Sequence, residues 1–107
     1  MNIGPMLRKI EIDIRTYVPM ISTVQAVFGF GSFFRGGIYR DVDLVVLIDD
    51  IQARDRDYLR LLYSQFRSLA HIFDVPIDLV VLSTREFAQR PLRDMESLVL
   101  IITKNES

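Results

Sequence analysis

Asp41-Val42-Asp43-Leu44-Val45-Val46-Leu47-Ile48 and Ile77-Asp78-Leu79-Val80-Val81-Leu82 are the two stretches that decide the fold of this chain. Both contain Asp-Leu-Val-Val-Leu, and their short runs of β-branched and aliphatic residues read as strands. Apolar side chains occupy both parities of the inner positions, so both faces of these strands should be covered. Burial in one sheet accounts for the apolar letters. It does not account for an aspartate at the same place in each.

The segment between them sets their relative direction. Tyr58, Leu62, Phe66, Leu69 and Phe73 recur at helical steps, which predicts an amphipathic helix over roughly 51–73. Asp49 and Asp50 can cap its start, and Pro76 breaks it. A helical crossover is what parallel neighbours require, so Asp43 and Asp78 should lie at the same end of the sheet. Upstream, Thr23 to Phe30 is β-branched and aromatic and stops at Gly31, which reads as another strand. Only Gly31 to Arg40 joins it to the strand at 41–48, so that pair should be antiparallel. Gly31-Ser32 then reaches the same rim as the aspartates.

The flanks are less decisive. Leu7, Ile10, Ile14, Tyr17 and Val18 suit one face of a helix over 6–18, bounded by Pro5 and Pro19. The alternation of Ile10, Ile12 and Ile14 leaves a strand open there. Glu86 to Arg90 reads as a helical turn, and Pro91 opens a helix to about Leu98. Ser97 to Thr103 is apolar enough for a last helical turn or an edge strand, as core or as an oligomer edge. The fold class is α/β (α+β): a small mixed sheet of three to four strands with helices packed on it.

At 107 residues and 12.4 kDa the chain suits a single domain over 1–107, and 50% hydrophobic residues supply a core. Thirteen Lys and Arg against fourteen Asp and Glu argue against direct nucleic-acid binding. With no cysteine, disulfides, Cys-bound zinc and thiol catalysis are excluded. The single histidine, His71, falls in the last turn of the long helix and reads as structural or surface. Chemistry must come from carboxylates, hydroxyls, arginines and backbone. No signal peptide is evident. The uncharged run from Thr16 to Phe34 carries too much polarity and too many breaks for a membrane span, so a cytoplasmic protein is expected.

Asp41 and Asp43, two apart in a strand, leave the same face, with Cα atoms about 6.5 to 7 Å apart. Such a pair can hold hard cations, Mg²⁺ in particular, and can bridge two of them. An Asp-x-Asp on its own is more often a solvated strand start. Its convergence with Asp78 and Gly31-Ser32 at one rim favours a site. Beyond Gly31, glycine lets backbone approach a phosphate, Ser32 can donate its hydroxyl and Arg35 can neutralise charge. Neither a Walker A loop nor a dinucleotide fingerprint is present. Phe33, Phe34 and Tyr39 could stack on a base or pack in the core. Arg54, Arg56, Arg60 and Arg67 form a solvated helix face or a partner surface, since Arg pairs bidentately with carboxylates.

Phe30-Gly31-Ser32-Phe33-Phe34-Arg35-Gly36, then Asp41-Val42-Asp43-Leu44, then Asp78 on a later strand, resembles the minimal nucleotidyltransferases of the DNA polymerase β-like superfamily. Two features depart from that pattern. The spacer from Phe33 to Arg40 is short, and Arg40 stands where a small hydroxyl residue commonly precedes the first aspartate. The resemblance implies two Mg²⁺ ions, or Mn²⁺, on Asp41, Asp43 and Asp78. It implies that Gly31 and Ser32 hold the β- and γ-phosphates of ATP or another NTP, with Arg35 nearby. It further implies transfer of a nucleoside monophosphate, AMP for ATP, to a hydroxyl. In so short a chain the acceptor is expected on another protein. The resemblance suggests the antitoxin of a toxin–antitoxin pair acting on a HEPN-type toxin. Two alternatives stand beside it: a non-catalytic module of the same fold that binds a partner, and a homo-oligomeric enzyme acting on a small molecule such as an antibiotic.

Overall fold

The computed structural model describes residues 4–31, 41–89 and 98–104. The chain forms helix α1 (Gly4–Tyr17), a 3-10 turn (Pro19–Thr23), strands β1 (Ala26–Phe30) and β2 (Val42–Ile48), and a second 3-10 turn (Gln52–Arg54). Helix α2 (Arg56–Phe73), strand β3 (Ile77–Ser83), helix α3 (Thr84–Ala88) and strand β4 (Val99–Thr103) follow. The sheet order is β3-β2-β1-β4. β2 and β3 are parallel, and β1 is antiparallel to both β2 and β4. This is the small mixed α+β sheet that the repeated strands and the crossover helix imply.

Strand parity divides the sheet into two faces. Leu44 and Val46 of β2 pair with Leu79 and Val81 of β3, and Val27 of β1 pairs with Val46. These residues join Ile10 and Ile14 of α1 and Leu62, Phe66 and Leu69 of α2 in one core. The first helix is settled by burial. Ile10 and Ile14 are shielded while Ile12 is 54% exposed, which suits a helical stripe and not the alternation of a strand. Asp43, Val45, Asp78 and Phe28 take the opposite parity. There α3 brings Phe87 onto Phe28, with ring centroids 5.3 Å apart and planes 18° from parallel.

Three of the boundaries that differ from those expected have a clear physical cause. The expected strand at 23–30 is regular only from Ala26, because Pro19–Thr23 coils into a 3-10 turn. That turn is tied to α2, with the Thr23 and Tyr58 hydroxyls 2.7 Å apart. The long helix begins at Arg56 and not at 51. Asp55 is extended and caps α2 by accepting from the Tyr58 N–H, while Ile51 stays 81% exposed. Asp49 instead accepts from the Gln52 N–H, and Asp50 from the Arg85 N–H at the start of α3. That last bond holds the Asp50 carboxyl below the usual carboxylate range. The turn expected at Glu86 to Arg90 starts earlier, because Ser83 and Glu86 form a reciprocal capping box around α3.

The C-terminal apolar stretch resolves as an edge strand. Its register against β1 shifts between Val27 and Phe28, leaving Ile101 as the extra residue. The bulge lets Ile101 and Ile102 both be buried although they are consecutive. The helix expected from Pro91 to Leu98 lies, apart from its last residue, outside the described residues. Among the described residues no helix is long and apolar enough to cross a membrane.

Two substitutions separate cap from core. Asp55→Ala should lower stability by about 1 kcal/mol, the usual worth of an N-cap. Phe66→Ala, at the centre of the α2 contact, should lower it by about 3–5 kcal/mol through a cavity. Urea unfolding followed by circular dichroism measures both.

Candidate functional site

Three strand ends meet at one rim of the sheet. β1 ends there, and Phe30 pairs with Asp43. β2 and β3 begin there, and Asp43 pairs with Asp78 in parallel register. Asp41 stands two residues before Asp43 and shares its face. One carboxylate oxygen from each of Asp41, Asp43 and Asp78 lies within 4.8 Å of the others. Asp41 and Asp43 are partly shielded and Asp78 is exposed.

The electrostatics follow from this crowding. Burial, and then the charges of Asp41 and Asp78, push the Asp43 carboxyl from 3.8 up to about 6. A hydrogen bond to Asp78 adds to the shift, as expected of two carboxyls that share a proton. The rim is therefore an all-oxygen donor set whose negative charge no described cation offsets.

Gly31 closes the site from the β1 side. Its φ is +85°, a left-handed conformation that suits glycine. A Cβ at this position would run into Oδ2 of Asp43. The missing side chain is thus what leaves room for the Asp43 carboxylate and for anything it binds. Hard divalent cations fit such a set, since they take carboxylate oxygens and keep further positions for water or phosphate.

Of the residues singled out in the sequence, Asp41, Asp43, Asp78 and Gly31 come together. Ser32 and Arg35 lie outside the described residues, as do Phe33, Phe34 and Tyr39. Phe30 did not stand out as a site residue in the sequence, although it lies directly across from Asp43 on the carboxylate face. The signal was available in strand parity, because Phe28 and Phe30 share that face and one antiparallel register places them. His71 is exposed at the end of α2, where it lines a groove with Asp74, Pro76 and Ile77.

Neither a family model nor a curated relative matches the sequence. The fold, in contrast, is shared with solved structures. A protein from Sulfolobus solfataricus, provisionally assigned as a nucleotidyltransferase, matches with a TM-score of 0.62 at 17% identity, over 96% of this chain and 85% of that one. A mutant of the toxin–antitoxin MntA-HpeT matches with a TM-score of 0.54 at 20% identity, over 92% and 74% of the two chains. A toxin–antitoxin with AMP-PNP matches with a TM-score of 0.52 at 22% identity, over 92% and 74%. At these identities the likeness establishes the architecture: the chain has a nucleotidyltransferase fold.

Two outcomes are expected at this rim. Gly31→Ala should cost about 1–2 kcal/mol from its left-handed backbone, with more from the contact with Asp43, and thermal unfolding measures it. The second concerns pH. The folded state holds the Asp43 proton more tightly than the unfolded chain, so this group's stabilising contribution is full below 3.8 and is lost as pH rises through about 6. Without divalent ions, wild type should therefore lose stability relative to Asp43→Asn across that window. Thermal melts of the two proteins over the pH range check the sign.

Proposed function

We propose that this chain is a Mg²⁺-dependent nucleotidyltransferase that moves a nucleoside monophosphate, AMP from ATP, to a hydroxyl of a partner protein. The observation that carries the reading is the meeting of Asp41, Asp43 and Asp78 beside a side-chain-free Gly31 on a nucleotidyltransferase fold. The AMP-PNP in one structural neighbour supports an adenine nucleotide. Toxin–antitoxin neighbours support a protein partner, and the partner in this proposal is a HEPN-type toxin. A cytoplasmic location goes with that role.

The roles follow from position. Asp41 and Asp43 would hold Mg²⁺, with Mn²⁺ as the substitute, and Asp78 would complete the set on the acceptor side. When bound, the ions neutralise the phosphates and stabilise both the attacking and the leaving oxygens. The charge on Asp43 favours cation loading only above its raised pKa, so loading competes with its proton. Gly31 and Ser32 would seat the β- and γ-phosphates, with Arg35 as a further anion contact. Asp78, the exposed member, is open to an incoming hydroxyl and would take its proton. The hydroxyl oxygen bonds to the α-phosphorus, the bond from that phosphorus to the bridging oxygen breaks, and pyrophosphate leaves.

The test is label transfer from ATP, with the other NTPs in parallel, to the protein encoded beside this chain, with Mg²⁺ present and pyrophosphate measured. Wild type should transfer, and the Asp41→Asn, Asp43→Asn double variant should fall by at least about a hundredfold. Equal transfer by the double variant would remove the metal assignment. Tight partner binding without any transfer would leave the non-catalytic module instead.

A further inference from the structure

Helix α2 carries a second pattern beside its core stripe. Arg56, Arg60, Tyr63, Arg67 and His71 follow one another at steps of four, three, four and four, so they line one strip of the helix surface. All five are exposed. Among the described residues the ion pairs are Lys9 with Asp13 and Arg15 with Glu11, both on α1, so none of these arginines is engaged.

The strip borders a groove of about 500 Å³ between α2 and β3. Phe66, Ala70, Ile77 and Leu79 give it apolar walls, and Tyr63, Arg67 and His71 line it from the strip. Asp74 is its one carboxylate, at the helix end. β3 is the end strand of the sheet, and no described strand pairs with its outer edge. A row of main-chain donors and acceptors therefore runs alongside an apolar groove with a cationic border. A chain laid beside β3 would turn alternate side chains toward the groove, on the face of Ile77 and Leu79. The others would join the face of Asp78 and Val80.

We propose that this edge and groove dock an extended acidic segment of a partner protein as a fifth strand beside β3. Among its groove-facing side chains, apolar residues fill the groove and carboxylates meet Arg60 and Arg67. Strand addition supplies main-chain hydrogen bonds, and the pockets for alternate side chains supply selectivity. Guanidinium groups match carboxylates in paired hydrogen bonds, which is the charge complementarity the strip offers. A second copy of this chain suits the surface poorly. Two-fold pairing of β3 with itself would set the cationic strip of one α2 against that of the other. Nucleic acid suits it poorly as well, because the groove walls are apolar and the chain carries a net charge of −1. This docking does not depend on the chemistry proposed for the carboxylates. Since β3 begins at Ile77 next to Asp78, a docked segment would nonetheless reach the carboxylate rim.

Fluorescent peptides of about ten residues, long enough to span a strand, test the proposal on the full chain. In one, every second residue is Thr and the positions between them are Leu and Glu in turn, a second carries Lys for Glu, and a third is the acidic peptide with alternate backbone amides N-methylated. The acidic peptide should bind by anisotropy and shift the backbone amide signals of β3. The Lys peptide and the N-methylated peptide should each bind at least about tenfold more weakly, since they lack the charge match or the ladder. Arg60→Glu with Arg67→Glu should weaken acidic binding by a similar factor, while Arg8→Glu on α1 should not. Circular dichroism checks the folding of the variants, and the peptide comparison needs no variant at all. Absent binding, equal binding of the Lys peptide or unmoved β3 signals would each overturn the proposal. So would a single-stranded RNA bound with the same arginine dependence, or a dimer of this chain that dissociates in the double arginine variant.

Discussion

The parallel register of β2 on β3 is the constraint from which the rest of the molecule follows. It pairs Leu44 with Leu79 and Val46 with Val81, which directs both rows at α1 and α2. The same ladder pairs Asp43 with Asp78 on the opposite face. A slip of one residue would turn the apolar rows of β3 away from the helices and carry Asp78 in among them. Core packing rejects that arrangement, so the hydrophobic effect fixes the spacing of the carboxylates. The chemistry at the rim is held by forces exerted on other residues.

That placement has a local electrostatic cost. Asp43 is partly shielded and lies among two other carboxyls, and burial first and then their charges raise its pKa. The backbone adds a second constraint, because β1 must turn at Gly31 with positive φ just where Asp43 needs space. Both features are compatible with a stable fold because they sit at the end of a sheet whose middle is buried. Val27, Leu44, Val45 and Val46 are fully shielded. Sites that break local rules are commonly offset by such a core.

Much of this arrangement was legible in the residues themselves. The repeated Asp-Leu-Val-Val-Leu announced two neighbouring strands, and the helical stripe from Tyr58 to Phe73 announced the crossover that makes them parallel. The short connection after Gly31 implied an antiparallel partner. Boundaries were less legible, because they turn on single side-chain contacts. Asp55, not Asp49 or Asp50, caps α2, and the choice rests on which carboxylate meets an unpaired N–H after a 3-10 turn. Ser83 and Glu86 likewise start α3 ahead of the expected turn. The burial of both Ile101 and Ile102 depends on a bulge that no alternation rule could reveal.

Composition and order along the chain were enough to limit the chemistry to carboxylates, hydroxyls, arginines and backbone and to send three aspartates and a glycine to one rim. These are matters of residue type, periodicity and connection length, all local in the sequence. The tertiary structure decided what depends on distance. Contact between β1 and β2 makes Gly31 the clearance for Asp43, and burial in the folded chain, with Asp41 and Asp78 close by, raises the Asp43 pKa. Packing of α2 against β3 sets the arginine strip beside an apolar groove and a strand edge. Sterics, Coulomb repulsion and surface shape act over a few ångströms, and only folding brings residues so far apart in the chain within that reach.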